Sequence, residues 1–591
     1  MTSAPITSET PVGEAIVAAL DQAGVEFVLA MPGGYMRPVL IALHNHPRIR
    51  VILVREESIG TTMAEAYGRV KGKPIVVLGQ GQWLAANAGQ GLLEAHLGSS
   101  PVVVLTDMTD GGPYSHHSFY QSGAGDYGGW NARESFSGVT KRVFVSRYPA
   151  QAVQHTQLAL KHACVGEPGP VVVAYDLLAL GANTVGPEAE PQVYQTDKYL
   201  NPPLNVVDEG ELARAVELIG KAKRPVILGG NGVRLSGATS HLLALASSID
   251  APIATTASGK GVAPERGELG VGTIGTYGVG AANALVGDSD LIVAVGTKIG
   301  AVDTIQENPK LIDPSRQTIV QIDVEPLNIG WTQPVSCGLV GDAKFVIDRL
   351  VDALDSRSDR LAGRETTAAE RVAAMRKKYP DFVGEEFEAE DLPMWPQRII
   401  RTMEEVLPAD TIVTCDAGEN RLFMMHWFRD AGLGGYLQPA GSGGMGYAVR
   451  SAMGARIAAP ERVAVAVCGD GGFAMNLHSL MTAVQEKIPI VVVVFNNAAL
   501  GWVVHAMGDK AVAADLRDFD HAAIARSIGC EGHRIDTPGE LRDVLKKAIE
   551  IQDRPFVIDV PTSMNVSVSD VHVLAQLFLQ SDEAPRPTKT L

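Results

Sequence analysis

A chain of 591 residues without a low-complexity tract is long enough for three domains of ordinary size. Its 46% hydrophobic content and 62 glycines fit a tightly turned α/β protein with large buried cores. A net charge of −17 argues against nucleic acid or an anionic membrane surface as a partner.

In chain order, residues 1–13 show no basic segment followed by an apolar run, so no secretory leader is read there. A first block, residues 1–185, carries apolar runs at Val51–Val54, Pro74–Leu78, Pro101–Leu105 and Pro170–Ala174 that read as buried strands. The first run ends in Arg55-Glu-Glu57. A helix follows it, with Ile59, Met63, Ala66, Tyr67 and Val70 on its apolar side. Residues 183–205, rich in proline and acid, read as a linker.

A second block, residues 205–355, has strands at Arg224–Gly230, Leu291–Val295 and Thr318–Ile322, then a charged helical stretch from about 355 to 390. A third block, residues 385–565, has strands at Thr411–Thr414, Val463–Val467, Ile490–Val494 and Phe556–Val560, before a tail at 566–591. Strands alternating with helices predict three consecutive α/β domains with mainly parallel sheets. Cys164, Cys337, Cys415, Cys468 and Cys530 have no CxxC spacing, which points away from zinc or disulfides and towards a reducing compartment. No apolar stretch approaches the roughly 20 residues that span a bilayer, so a cytoplasmic location is expected.

The sharpest motif lies in the third block. Strand 463–467 runs into Cys468-Gly-Asp-Gly-Gly472. A helix with Leu477, Leu480, Met481 and Val484 on one face follows, and the next strand ends at Asn496-Asn497. Such a crossover makes the two strands parallel neighbours and brings Asp470 and Asn497 to one sheet edge, where open α/β folds bind ligands. A carboxylate, an amide oxygen and a backbone carbonyl leave octahedral positions for phosphate oxygens, as Mg²⁺ prefers. Gly469, Gly471 and Gly472 allow close approach of a diphosphate to a helix N-terminus. Read alone, Asp470 serves equally as an N-cap.

The run from GDGG to the paired asparagines resembles the binding motif of the thiamine diphosphate (ThDP)-dependent enzymes. The resemblance implies Asp470 and Asn497 as side-chain Mg²⁺ ligands and the Ala499 carbonyl as a third. Gly441-Ser-Gly-Gly-Met-Gly-Tyr447 is similar to the stretch that grips the aminopyrimidine ring, with Gly443 accepting from the amino group and Met445 bending the coenzyme. Gly418-Glu-Asn420 falls where these enzymes touch the diphosphate; Asn420 is preferred there, because a carboxylate repels phosphate. Glu57 through Arg69 is similar to the segment that begins with the family's activating glutamate, with Glu56 standing where a histidine is usual. In isolation Glu56 and Glu57 read as first-turn acids complementing the helix dipole. In this family the glutamate reaches coenzyme bound by another subunit, which implies a homodimer at minimum, and a homotetramer is expected.

Domain order and length look most like the acetolactate synthase group, which includes benzaldehyde lyase and 2-hydroxyacyl-CoA lyase. The expected activity is a C–C lyase or carboligase, a lyase or transferase. It would act on a small carbonyl substrate, a 2-oxo acid, 2-hydroxy ketone or 2-hydroxyacyl-CoA, through a ThDP carbanion/enamine. Val503 stands where simple decarboxylases carry a proton-donating glutamate, which favours carboligation over protonation. Gln82, His116, His117, Trp502, Val503 and His505 are the candidate substrate contacts, each equally readable as ordinary packing or loop. The Thr297–Val302 stretch lacks the aspartate–arginine pattern that resembles FAD contacts, so neither FAD nor ADP is expected in the central domain. Three other readings stay open: a simple 2-oxo acid decarboxylase, a non-catalytic ThDP-binding scaffold, and a dehydrogenase suggested by Gly229-Gly-Asn-Gly232.

Overall fold

A computed structural model describes residues 6–109, 121–125, 128–181, 183–186, 194–200, 206–356, 364–439, 441–567 and 570–571. His116 and His117 lie outside the described residues, as does most of the 566–591 tail.

Three six-stranded sheets follow one another along the chain. The first contains β1 (Phe27–Ala30), β2 (Arg50–Leu53), β3 (Ile75–Gly79), β4 (Val102–Asp107), β5 (Arg142–Ser146) and β6 (Pro170–Tyr175). The second contains β7 (Pro225–Gly229), β8 (Ile253–Thr255), β9 (Gly270–Thr273), β10 (Leu291–Val295), β11 (Thr318–Asp323) and β12 (Cys337–Val340). The third contains β13 (Ile412–Cys415), β14 (Tyr436–Leu437), β15 (Ala464–Gly469), β16 (Val491–Asn496), β17 (Glu531–Arg534) and β18 (Phe556–Pro561). Every pairing is parallel, with Val465 opposite Val491 and Val102 opposite Pro170, for example. The Val- and Ile-rich runs are buried on both faces because helices cover both sides.

The first and third sheets share one topology. Numbered from the first strand of each, both run 2-1-3-4-6-5. The central sheet runs 3-2-1-4-5-6, the order of dinucleotide-binding folds. Its glycine turn after β7 is filled by the protein itself. A Cβ on Gly230 would stand 2.2 Å from the Gly296 carbonyl oxygen, and one on Gly232 2.6 Å from Gly296 Cα. Glycine there lets two backbone turns touch.

The outer two sheets are joined by helix Glu57–Lys71 and helix Ala448–Ala458. The first is buried all round from Glu57 to Arg69, not only on the apolar side expected from its periodicity. Ile59 and Met63 share a core with Val449, Ala452 and Met453, and this core reaches from Val102 of the first sheet to Val492 of the third. Several polar groups inside it pair across the two helices. Tyr447 donates to Glu65 at 2.7 Å, Arg69 donates to the Tyr447 hydroxyl at 3.1 Å, and Arg450 donates to Ser58 Oγ at 2.9 Å. The helix after the GDGG turn, Leu477–Glu486, buries Leu480 as expected but leaves Met481 exposed, because its buried stripe runs through Ser479, Leu480, Thr482 and Ala483.

The helix pair sets a checkable tolerance. A Cβ on Gly454 would lie 2.1 Å from the Met63 carbonyl oxygen. Gly454→Ala is expected to cost about 1–3 kcal/mol and to lower the calorimetric unfolding midpoint; an unchanged midpoint would refute this packing.

Candidate active site

Parallel strands deliver all their carboxyl ends to one edge. In the third sheet those ends, with the loop before helix Ala448–Ala458, enclose a cavity of about 290 Å³. Of the positions singled out in the sequence, Asn420, Gly443, Met445, Gly469, Asp470, Gly471, Gly472, Asn497, Ala499, Trp502 and Val503 all line it.

Asp470 is not a capping residue. Gly469 is the N-cap, and Asp470 is the first residue of helix Asp470–Ala474. Its Oδ1 accepts from the adjacent Gly471 N–H at 2.8 Å, while Oδ2 is buried without a hydrogen-bond partner among the described residues. Burial raises this carboxyl to about 6, against the opposing pull of the Gly471, Ala498 and Ala499 amides. A buried acceptor left unmet costs about 1–3 kcal/mol, and more when charged. A cation removes that cost.

The two asparagines divide the work. Asn496 is a buried anchor whose amide donates to Asp559 at 3.0 Å and to Asp518 at 3.1 Å. Asn497 lines the cavity, its Oδ1 accepting from Ala499 N–H at 3.2 Å. Between Asn497 and Ala499, Ala498 adopts a left-handed φ of 53°, uncommon for a non-glycine residue. Two bonds to the segment beyond hold that turn: Leu516 N–H to Ala498 O at 2.8 Å and Leu500 N–H to Ala514 O at 2.7 Å. Among the described residues no cluster of three or more His, Cys, Asp or Glu could hold a metal. A single carboxylate with an amide and a carbonyl fits a small hard cation that keeps phosphate oxygens in its shell.

The loop 441–447 forms the opposite wall. Gly443 and Gly446 have φ of 67° and 86°, conformations that glycine reaches without strain. A Cβ on Gly471 would contact Met445 Cε at 3.2 Å, so the methionine tip and the GDGG turn face each other closely. The sequence reading missed Asp416. Fully buried at the end of β13, it accepts from Gly446 N–H and Ala417 N–H at 2.8 Å and from Ala448 N–H at 3.2 Å. Burial pushes it up to about 6. Its signal was Asp416-Ala-Gly418 at a strand end, a second acid-and-glycine turn beside the GDGG one.

Glu419 also lines the cavity, although Asn420 was preferred. His505 Nδ1 lies 2.7 Å from the Glu419 carboxylate, and His505 Nε2 lies 3.0 Å from the Met564 carbonyl. A carbonyl only accepts, so Nε2 carries a proton. His505 therefore stands behind the wall as the partner of Glu419 and is not among the lining residues. Trp502 and Val503 do line it. The Tyr277 ring of the central unit meets Trp502 edge-on at 6.1 Å, beside Leu422 and Met425.

Glu57 begins its helix, is 6% exposed, and accepts from Asn87 Nδ2 at 3.0 Å. It is not among the residues lining the third-sheet cavity of its own chain, nor is Gln82, exposed on helix Gly81–Asn87. Glu56 pairs with His478 at 2.6 Å, an acid–histidine contact between the first and third units.

A glycine-lined cavity at parallel strand ends, with a buried carboxylate, an amide and a main-chain carbonyl on its wall, has the shape and chemistry that fit a diphosphate coenzyme. All three units match known families. Residues 416–560 match the thiamine pyrophosphate enzyme C-terminal TPP binding domain, residues 212–350 the central domain, and residues 10–124 the N-terminal TPP binding domain. The chain is 31% identical over 559 residues to a probable acetolactate synthase large subunit of Methanocaldococcus jannaschii, covering 93% of this chain and 91% of that protein. It is 29% identical over 589 residues to the corresponding Methanococcus aeolicus protein, covering 95% of this chain and 94% of that one. It is also 28% identical over 549 residues to the acetolactate synthase isozyme 3 large subunit of Escherichia coli, covering 91% and 92%. The chain belongs to the thiamine diphosphate-dependent enzymes, in their acetolactate synthase group. Among the described residues no helix is long and apolar enough to cross a membrane.

The cation seat predicts a ligand-dependent stability. Mg²⁺ with inorganic diphosphate is expected to stabilise the native chain by about 2.7 kcal/mol at a hundredfold excess over Kd, read as a higher unfolding midpoint. Asp470→Ala should remove that gain; equal protection of the variant would rule Asp470 out.

Proposed function

We propose that the chain makes or breaks a C–C bond beside a carbonyl, using thiamine diphosphate anchored by Mg²⁺, and that it works in the cytoplasm as a homodimer or larger assembly. The observation that carries this reading is the orphaned Asp470 Oδ2 in a cavity that also holds Asn497, Ala499, Gly443 and Met445. The substrates are small carbonyl compounds: a 2-oxo acid, a 2-hydroxy ketone or a 2-hydroxyacyl-CoA.

Asp470, Asn497 and the Ala499 carbonyl would ligate the cation. The amides at the start of helix Asp470–Ala474 would receive the diphosphate, whose charge suits a helix N-terminus. Gly443 and Met445 would seat the ring. When bound, the coenzyme supplies a carbon nucleophile and an electron sink beside the substrate carbonyl. Glu57 of a second copy, buried and held in place by Asn87 Nδ2, would meet the ring nitrogen N1′. Trp502 and Val503 give the cavity an apolar wall with no acid at those two positions. Such a wall favours capture by a second carbonyl over protonation, a carboligation rather than simple decarboxylation.

Glu57→Gln is expected to slow C2–H/D exchange of bound coenzyme by about 100-fold or more while leaving its affinity within about twofold. Exchange at the native rate would sink the role of Glu57. Mixed dimers of Glu57→Gln and Asp470→Ala chains, each inactive alone, should recover activity on one native-like site; no recovery would mean that the acid serves its own chain. Val503→Glu should raise the ratio of released aldehyde to carboligated product in a screen of 2-oxo acids with ThDP and Mg²⁺.

A further inference from the structure

The ring-side loop 441–446 is not shaped by the third sheet alone. Helix Gly89–Leu97, from the first unit of the same chain, lies against it. Glu94, 1% exposed on that helix, accepts three hydrogen bonds from the loop: Gly441 N–H at 2.8 Å, Ser442 N–H at 2.9 Å and the Ser442 hydroxyl at 2.7 Å. One turn earlier, Gln90 donates through Nε2 to the Met445 carbonyl at 2.6 Å. The approach is close, since a Cβ on Gly441 would stand 2.2 Å from Leu97 Cβ. At the far end of the loop Asp416 takes the Gly446 N–H at 2.8 Å. The loop is thus pinned at one end by a carboxylate of the first unit and at the other by a carboxylate of the third, with Gly443 and Met445 between them.

We propose that Glu94 is a positioning residue for the coenzyme: through the 441–442 amides it fixes the loop that presents Gly443 and Met445. This rests on the reading of that loop as the seat of the aminopyrimidine ring. A carboxylate meets three donors with two charged acceptor oxygens, a charge-assisted set that holds geometry firmly. An isosteric amide cannot replace it. One oxygen becomes an NH₂ that faces an N–H or two donors, leaving buried groups unmet. The consequence is specific. Loss of the clamp loosens the ring seat, whereas the diphosphate and cation seat, built on β15 and β16, is untouched. Each chain's first unit then serves two sites, shaping the ring seat of its own chain through Glu94 and reaching the second copy's site through Glu57.

The test separates the two halves of the ligand. ThDP with Mg²⁺, and inorganic diphosphate with Mg²⁺, are titrated calorimetrically into full-length native protein and into Glu94→Gln. The variant is expected to bind ThDP about tenfold more weakly, the scale set by unmet buried donors, and to bind inorganic diphosphate within twofold of native. Equal loss for both ligands would reduce Glu94 to a general structural role, and no loss for either would remove the clamp altogether. If Glu94→Gln does not fold, Gln90→Ala is judged by the same comparison, because it removes only the bond to Met445. Native protein that binds inorganic diphosphate but gains nothing from the thiamine part overturns the ring-seat reading itself. Native binding of ThDP matched by both variants overturns only the clamp.

Discussion

The structure depends on a carboxylate oxygen buried at the end of a strand with no hydrogen-bond donor to meet it among the described residues. Asp470 is placed there by a parallel sheet whose neighbouring strands, β13 and β16, bring a second buried acid and a pair of asparagines to the same edge. Burial opposes ionisation of both Asp470 and Asp416, yet they are handled differently. Asp416 is satisfied by three loop amides within hydrogen-bond distance and so is a structural pin. Asp470 keeps one oxygen without a hydrogen-bond partner among the described residues, which suits it to the ligand role proposed for it.

Around that edge the outer sheets act as one body. Their shared topology puts comparable strand ends on both, and both use buried aspartates to tie loops down. Asp107, at the end of β4, accepts from Tyr35 N–H at 2.6 Å and Gly81 N–H at 2.9 Å, much as Asp416 does in the third unit. The helices that join the two units carry functional positions at their N-terminal ends, Glu57 on one and the 441–447 loop before the other. The packing that stabilises the fold therefore also sets the two halves of the proposed chemistry. Substitutions in this core reach the site without touching it.

Much of this was legible. The long Val- and Ile-rich strands were readable because they are buried on both faces, and the GDGG-to-asparagine spacing fixed a crossover whose ends had to meet. The short or atypical strands were not. β14 is two residues long, β17 reads Glu-Gly-His-Arg at a sheet edge, and half of β9 is glycine, so none carries an apolar signal. The all-round burial of helix Glu57–Lys71 was also hidden, because the partners that let Glu65 and Arg69 be buried, Tyr447 and Ser100, lie outside that helix in the sequence.

Taken alone, the sequence determined the class of fold and, through local spacing, that Asp470 and Asn497 share the carboxyl edge of the third sheet, whereas Asn420, Gly443 and Met445 entered through a family resemblance; all five line one cavity. Tertiary structure alone decided that Asn496 is a buried anchor, that Asp470 is not a cap and keeps one oxygen without a hydrogen-bond partner among the described residues, that His505 supports Glu419 from behind, and that Glu94 holds the ring-side loop from 347 residues away in the chain. The reason is physical: spacing fixes what neighbours in sequence can share, but a hydrogen bond between distant segments exists only once packing has brought them within about 3 Å.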